Sequence, residues 1–328
     1  MIYSAMKLLA SLAIGYVAVA IAMIVSQGTT DMPEREGLDF SNTMARDFEA
    51  PDSDDFRRAT FAARDGTKLS FTHVKTNEAA RLPLVIMLHG SGWHGGQFDA
   101  LAWGLRDVAE VKALTLRGHG LTPKRRGDID YIGQFEDDIA DLIGETERKV
   151  VLLGHSSGGG LVVRFAGGEH RKMIDGAVLL APFLKHDAPV TRPNSGGWTR
   201  VLLRRIIGLS MLNKLGIHAL DHLMMIQFGL PQQVLESDQG GYATTAYSWR
   251  LNTSYAPRSD YLNDVALLPK FLLVVGREDE AFRAEGYEPL MTAATDKGQY
   301  KVVDGVRHLD IVDDARTAAF IREYLSEL

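Results

Sequence analysis

The residues Gly154-His155-Ser156-Ser157-Gly158 follow the apolar run Val150–Leu153 and precede a helix-compatible stretch, Ser157–Glu169. A serine on a sharp strand-to-helix turn has its hydroxyl exposed, and flanking glycines avoid the clashes that such a turn creates. A hydroxyl is a weak nucleophile until a base takes its proton. Chains built on this turn place an acid and then a histidine later in the sequence. His308 is the only histidine after His222, and it sits in a turn after the strand-like Tyr300–Val303. The acid should follow the preceding apolar run, Phe271–Val275, where Glu278, Asp279 and Glu280 compete. A short carboxylate is needed to hold the imidazole tautomer, which selects Asp279 and leaves the two glutamates as solvated neighbours. The oxyanion formed by attack needs preorganised N–H donors. Those expected are the N–H of Ser157 and the N–H of Ser91, the latter in His89-Gly90-Ser91-Gly92 after the run Leu84–Leu88. Gly90 and Gly92 would let a ligand approach the backbone. His94 is a candidate for the entrance or a structural histidine. The chemistry these residues could perform is acyl transfer through a serine.

These side chains need a scaffold that brings distant segments to one edge. From Arg57 onward, short apolar runs alternate with helix-length stretches: Leu84–Leu88, Val111–Leu116, Val150–Leu153, Ala177–Leu180, Phe271–Val275 and Tyr300–Val303. Continuous apolar runs mark strands buried on both faces, and the alternation predicts a mostly parallel sheet with helices on both sides. Arg58–Ala63 and Lys68–Val74 flank Asp65-Gly66 and predict a leading hairpin. The interval Pro182–Pro269 is too long for a connection and predicts an inserted helical cap. The expected organisation is a core of residues 57–182 and 270–328 with a cap at 183–269. The cap combines Arg200, Arg204 and Arg205 with many large apolar residues, which suits a lid over an acyl chain or a packed surface with solvated arginines.

Two segments precede the core. From Leu8 to Val25 no residue is charged, a length that can cross a bilayer. Residues 1–30 are therefore expected to be a transmembrane anchor or a signal segment, the latter cleaved at an Ala20-Ile21-Ala22-like site. Lys7 before the span and no basic cluster after it favour a cytoplasmic N-terminus, a single pass and a catalytic domain on the non-cytoplasmic side, or secretion after cleavage. Residues 31–56 are expected to be an acidic linker. Asp31 to Asp55 holds nine acidic and two basic residues and predicts a solvated tether.

Composition excludes several classes. A net charge of −6 argues against nucleic-acid partners, which require a basic footprint. With no cysteine, disulfides, thiolate–zinc sites and a cysteine nucleophile are excluded. His218 and His222 have helical metal-ligand spacing, but no third ligand or H-E-x-x-H pattern accompanies them, and His119 reads as a structural turn residue. No metal or organic cofactor is implied.

Taken in order, His89-Gly90-Ser91-Gly92-Trp93-His94, Arg117-Gly118-His119-Gly120, Gly154-His155-Ser156-Ser157-Gly158-Gly159, Gly276-x-x-Asp279 and Gly305-x-x-His308 resemble the monoacylglycerol lipase and lysophospholipase branch of the α/β-hydrolases, sometimes grouped with serine aminopeptidases. The resemblance runs from about Phe61 to the C-terminus and is weak across the cap. It implies an α/β-hydrolase fold, Ser156, Asp279 and His308 as a triad, Ser91 and Ser157 as oxyanion donors, and a lipid-like ester such as a monoacylglycerol or lysophospholipid as substrate. Thr115 stands where many relatives carry an acidic residue, and Ser157 replaces a residue that is often methionine. Rival readings are an amidase, aminopeptidase or acyltransferase on the same machinery, and a non-catalytic membrane-tethered binding protein.

Overall fold

The computed structural model describes residues 2–32, 37–41, 48–76, 78 and 81–328. The strands are β1 (Phe56–Ala62), β2 (Lys68–Val74), β3 (Leu84–Leu88), β4 (Glu110–Leu114), β5 (Val150–His155), β6 (Gly176–Leu180), β7 (Thr199–Val201), β8 (Met224–Phe228), β9 (Ala246–Ser248), β10 (Lys270–Gly276) and β11 (Gly298–Val303). The helices are α1 (Ile2–Val25), α2 (Asp99–Gly104), α3 (Gln134–Ile143), α4 (Ser157–Ala166), α5 (Leu203–Asn213), α6 (Gln232–Glu236), α7 (Trp249–Tyr255), α8 (Tyr261–Ala266), α9 (Tyr287–Thr292) and α10 (Ala315–Ser326).

Eight strands form one sheet in the order β1-β2-β4-β3-β5-β6-β10-β11. β1 and β2 pair antiparallel around the Asp65-Gly66 turn, and β2 is antiparallel to β4. From β4 to β11 every neighbouring pair is parallel. Every residue of β3 is buried, as its unbroken apolar sequence requires when helices cover both faces. Helix α3 places Phe135, Ile139, Leu142 and Ile143 on one buried stripe.

The chain leaves β3 for β4 on one side and then crosses to β5 on the other. Strand order therefore reverses at β3, and the carboxyl ends of β3 and β5 flank a crevice of the kind in which open parallel sheets bind ligands. β5 leads directly into α4, and the junction is tight. A Cβ on Gly158 would lie 2.1 Å from the carbonyl oxygen of Leu88, so only glycine lets α4 rest against β3.

The expected insert carries more than helices. β7, β8 and β9 form an antiparallel three-stranded sheet beside α5. Its later part returns to the core: Arg164 on α4 donates to the carbonyls of Thr253 and Ala256, and a Cβ on Gly160 would lie 2.9 Å from Pro257. Helices α7 and α8 are thus flooring for α4 rather than part of a detached lid.

Helix α1 is long and apolar enough to cross a membrane, with Tyr3–Val25 as its span. Its last turns are not free. Ala20 and Ile24 pack with Leu209 and Leu212 of α5 in a small apolar cluster. A Cβ on Gly208 would lie 2.4 Å from the Ala20 carbonyl oxygen, so the two backbones touch. At the carbonyl end of α1, Arg204 donates to Ser26 and Arg205 to Ile24, where cations complement the helix dipole.

Candidate active site

Ser156 sits between β5 and α4 with φ 55° and ψ −119°, a left-handed backbone that strains a residue with a side chain. Three main-chain bonds hold it there: its N–H donates to Leu180, and its carbonyl accepts from Gly160 and Phe183. His308 follows β11 and brings Nε2 to 3.0 Å from Ser156 Oγ. On the other side of the ring, Nδ1 lies 2.8 Å from Asp279 Oδ2, at the end of β10. Asp279 Oδ1 accepts the N–H groups of Ala281 and Phe282 at 2.8 and 2.7 Å, which fixes the carboxylate plane. A carboxylate accepts only, so Nδ1 carries the proton and Nε2 faces the serine as an acceptor. Burial pulls the His308 pKa down, but the charge and hydrogen bond of Asp279 outweigh it, and the net direction is upward.

The three carboxylates that competed in the sequence have different tasks. Asp279 meets the imidazole. Glu278 accepts the Gly305 N–H at 2.8 Å, and Glu280 accepts the His308 N–H at 2.9 Å. Glu280 is not the solvated neighbour expected. Burial raises its pKa, against the bond from His308 N–H that lowers it. All three side chains hold the loop that carries His308, and the sequence signal for this was their consecutive placement at a strand end.

The predicted oxyanion residues also converge. Ser157 opens α4, so its N–H has no acceptor within the helix. Ser91 lies on the loop after β3, and its Oγ is 2.7 Å from Ser157 Oγ, which ties the two loops together. Gly90 and Ser91 line the same cavity as Ser156 and His308. Gly92 is engaged otherwise. Its N–H donates to Tyr247 Oη at 2.6 Å and its carbonyl accepts from Thr244, so the insert grips this loop. His94 lies outside the lining of that cavity: its Nδ1 accepts the Gly96 N–H, and its ring stacks on Tyr242 with centroids 4.0 Å apart, the contacts of a structural histidine.

Histidines other than His308 act as struts. His89 donates from Nδ1 to the Gly90 carbonyl and accepts the Leu116 N–H at Nε2, joining the loops after β3 and β4. Burial pushes its pKa well down, as this neutral, doubly used ring requires. His119 donates from Nδ1 to Arg117 and accepts the Tyr247 hydroxyl proton at Nε2. Burial lowers its pKa to about 4. His155 bridges Gln97 and the carbonyl of His308. His218 and His222 bond to nearby cap residues, and no cluster able to hold a metal occurs among the described residues.

The walls around Ser156 are Leu38, Phe40, Trp93, Trp198, Leu230, Leu309 and Val312, almost all apolar. Leu38 and Phe40 come from a stretch that the sequence reading places away from the site. The solvated tether expected for residues 31–56 does not extend to Leu38 and Phe40, which are each 9% exposed and pack in the main core. Residues 33–36 and 42–47 of that stretch lie outside the described residues. The signal was faint, two large apolar residues flanking Asp39 in an acidic stretch.

Residues 80–314 match the family model described as serine aminopeptidase, S33. Among curated proteins, the human monoglyceride lipase is 25% identical over 241 residues, covering 69% of this chain and 75% of that protein. The Mycolicibacterium smegmatis monoacylglycerol lipase is 28% identical over 125 residues, 35% of this chain and 44% of that protein. Several curated relatives are matched over less than half of their own length. A solved monoglyceride lipase from Saccharomyces cerevisiae, a soluble variant bound to a substrate analogue, superposes with a TM-score of 0.64 at 17% identity, covering 86% of this chain and 98% of that one. At that identity the likeness speaks for the fold.

Proposed function

The chain belongs to the Hydrolase_4 family of serine hydrolases, the serine aminopeptidase S33 group, and from that premise we propose that it cleaves carboxylic esters with an apolar acyl group through an acyl-enzyme on Ser156. The observation that carries this reading is the continuous hydrogen-bonded path Ser156–His308–Asp279, at 3.0 and 2.8 Å. His308 Nε2 takes the hydroxyl proton as Oγ attacks the carbonyl, and Asp279 stabilises the imidazolium that forms. The N–H groups of Ser91 and Ser157 receive the oxyanion. As the tetrahedral centre collapses, His308 hands its proton to the departing alcohol. It then deprotonates a water, which attacks the acyl carbon and frees Ser156.

The apolar walls favour a lipid-like ester, a monoacylglycerol or lysophospholipid being the class in view. Helix α1 supports the same choice, because an anchored hydrolase meets such esters at high local concentration. In this reading α1 is an uncleaved anchor with Lys7 on the cytoplasmic side and the hydrolase on the other. The core then comprises residues 57–182 and 270–328, with the insert between them in the chain.

A fluorophosphonate probe followed by peptide mapping tests the assignment. Label should sit on Ser156, and Ser156→Ala should lose ester hydrolysis by roughly 10⁴–10⁶-fold in kcat. Label on another residue, or undiminished hydrolysis by the variant, overturns it. Parallel assays with amide substrates and with alcohol acceptors separate an esterase from an amidase or an acyltransferase.

A further inference from the structure

We propose that the segment from Gly37 to Ser41, which precedes the hydrolase core in the chain, is the specificity wall of the acyl pocket, with Leu38 and Phe40 limiting the size of the acyl group. This rests on the ester-hydrolase reading of Ser156. Leu38 and Phe40 line the cavity that holds Ser156, His308, Gly90 and Ser91. Leu38 and Phe40 are buried, while Asp39 between them is partly exposed and outside the cavity lining.

The segment is fastened at three points. The Asp39 N–H donates to Glu280 Oε1 at 3.2 Å, and Glu280 Oε2 accepts the His308 N–H at 2.9 Å. One carboxylate therefore links the wall to the backbone of the proposed base. The Asp39 carboxylate pairs with Arg307, the residue before His308. Gly37 runs flush with the insert, where a Cβ would lie 2.8 Å from the Trp198 Cβ. Trp198 is itself stacked on Phe228 of β8, with centroids 4.8 Å apart. Core, insert and membrane-proximal chain thus each contribute one side of the cavity.

The cavity's other walls, Trp198, Leu230, Leu309 and Val312, are carried by the insert and by the loop after His308. The two side chains that truncation would remove most simply are Leu38 and Phe40, because their segment is outside the sheet and helices of the core. The ligand class is a linear apolar acyl chain, and the two residues set how much of it fits before it meets the segment.

The test uses the full chain in detergent micelles and p-nitrophenyl esters from acetate to dodecanoate, so that the leaving group is constant. Leu38→Ala and Phe40→Ala should each raise the kcat/KM ratio of dodecanoate to acetate by about tenfold. Leu38→Trp should lower that ratio by a similar factor, which separates a filled pocket from a damaged fold. Wild-type-like fluorophosphonate labelling of Ser156 identifies variants that remain folded. An unchanged ratio in all three variants overturns the wall, as does equal acceleration of every ester, which would make the segment a plug. A lowered ratio in the alanine variants also overturns it. A wild-type chain that cleaves no ester of the series overturns the hydrolase reading and the wall with it.

Discussion

His308 stands between opposed influences, since burial favours the neutral ring and the Asp279 carboxylate favours the charged one. The carboxylate prevails, so the pKa lies above the ordinary value of about 6.5. In the proposed mechanism the neutral ring is the form that accepts the serine proton. kcat/KM should therefore climb with pH through an inflection above about 6.5, measured on a soluble ester. The stability linked to this pair is fully present below the unfolded-state value and is lost as pH rises through the folded value. Asp279→Asn removes the upward pull, so the His308 titration followed by NMR should move to lower pH. The same change presents the wrong tautomer to Ser156 and should reduce kcat by about 10⁴-fold. A titration that stays in place would mean that another group sets the His308 pKa.

At the scale of elements, the candidate site is a meeting of strand ends held by side chains outside the proposed triad. Tyr247 on β9 receives the Gly92 N–H and gives its own proton to His119. Tyr247→Phe would leave a buried N–H and a buried ring nitrogen without partners, at a cost of about 1–3 kcal/mol for each group left unsatisfied. Because Gly92 adjoins Ser91, the expected kinetic result is a fall of about tenfold in kcat with a smaller change in KM. Steady-state kinetics with one ester check this, and a change confined to KM would place Tyr247 in substrate binding instead. The insert therefore positions the loop after β3, in addition to roofing the cavity.

For the whole molecule, the packing of α1 on α5 connects the apolar N-terminal helix to the insert. Gly208→Val would place a side chain against the Ala20 carbonyl and the Ile24 side chain. The full chain should lose about 1–3 kcal/mol from such overpacking, read by thermal or denaturant unfolding in micelles. A chain beginning at Ser26 should show no comparable loss, since the partner helix is gone. Equal destabilisation in both would assign Gly208 to the fold of the insert alone. Removal of α1 as a signal segment would expose Leu209 and Leu212, so N-terminal sequencing of the membrane fraction bears on the stability of the mature form as well as on its location.

The sequence alone determined the parallel sheet, the turn bearing Ser156, and the order in which His308 and the acidic cluster follow. These are local properties: a buried strand needs an unbroken apolar run, and a nucleophile turn needs small residues at fixed offsets. It also chose Asp279 over its neighbours by side-chain length, but it misjudged Glu280, because a hydrogen bond from a backbone 28 residues away leaves no local pattern. His94 stayed open between two readings for the same reason, its contacts being with Gly96 and with Tyr242 far along the chain. Only the tertiary structure could show that Leu38 and Phe40, inside an acidic stretch, close the cavity, or that α1 ends against the insert. Such contacts join segments hundreds of residues apart, and what selects them is the shape of the surface left when the core has folded.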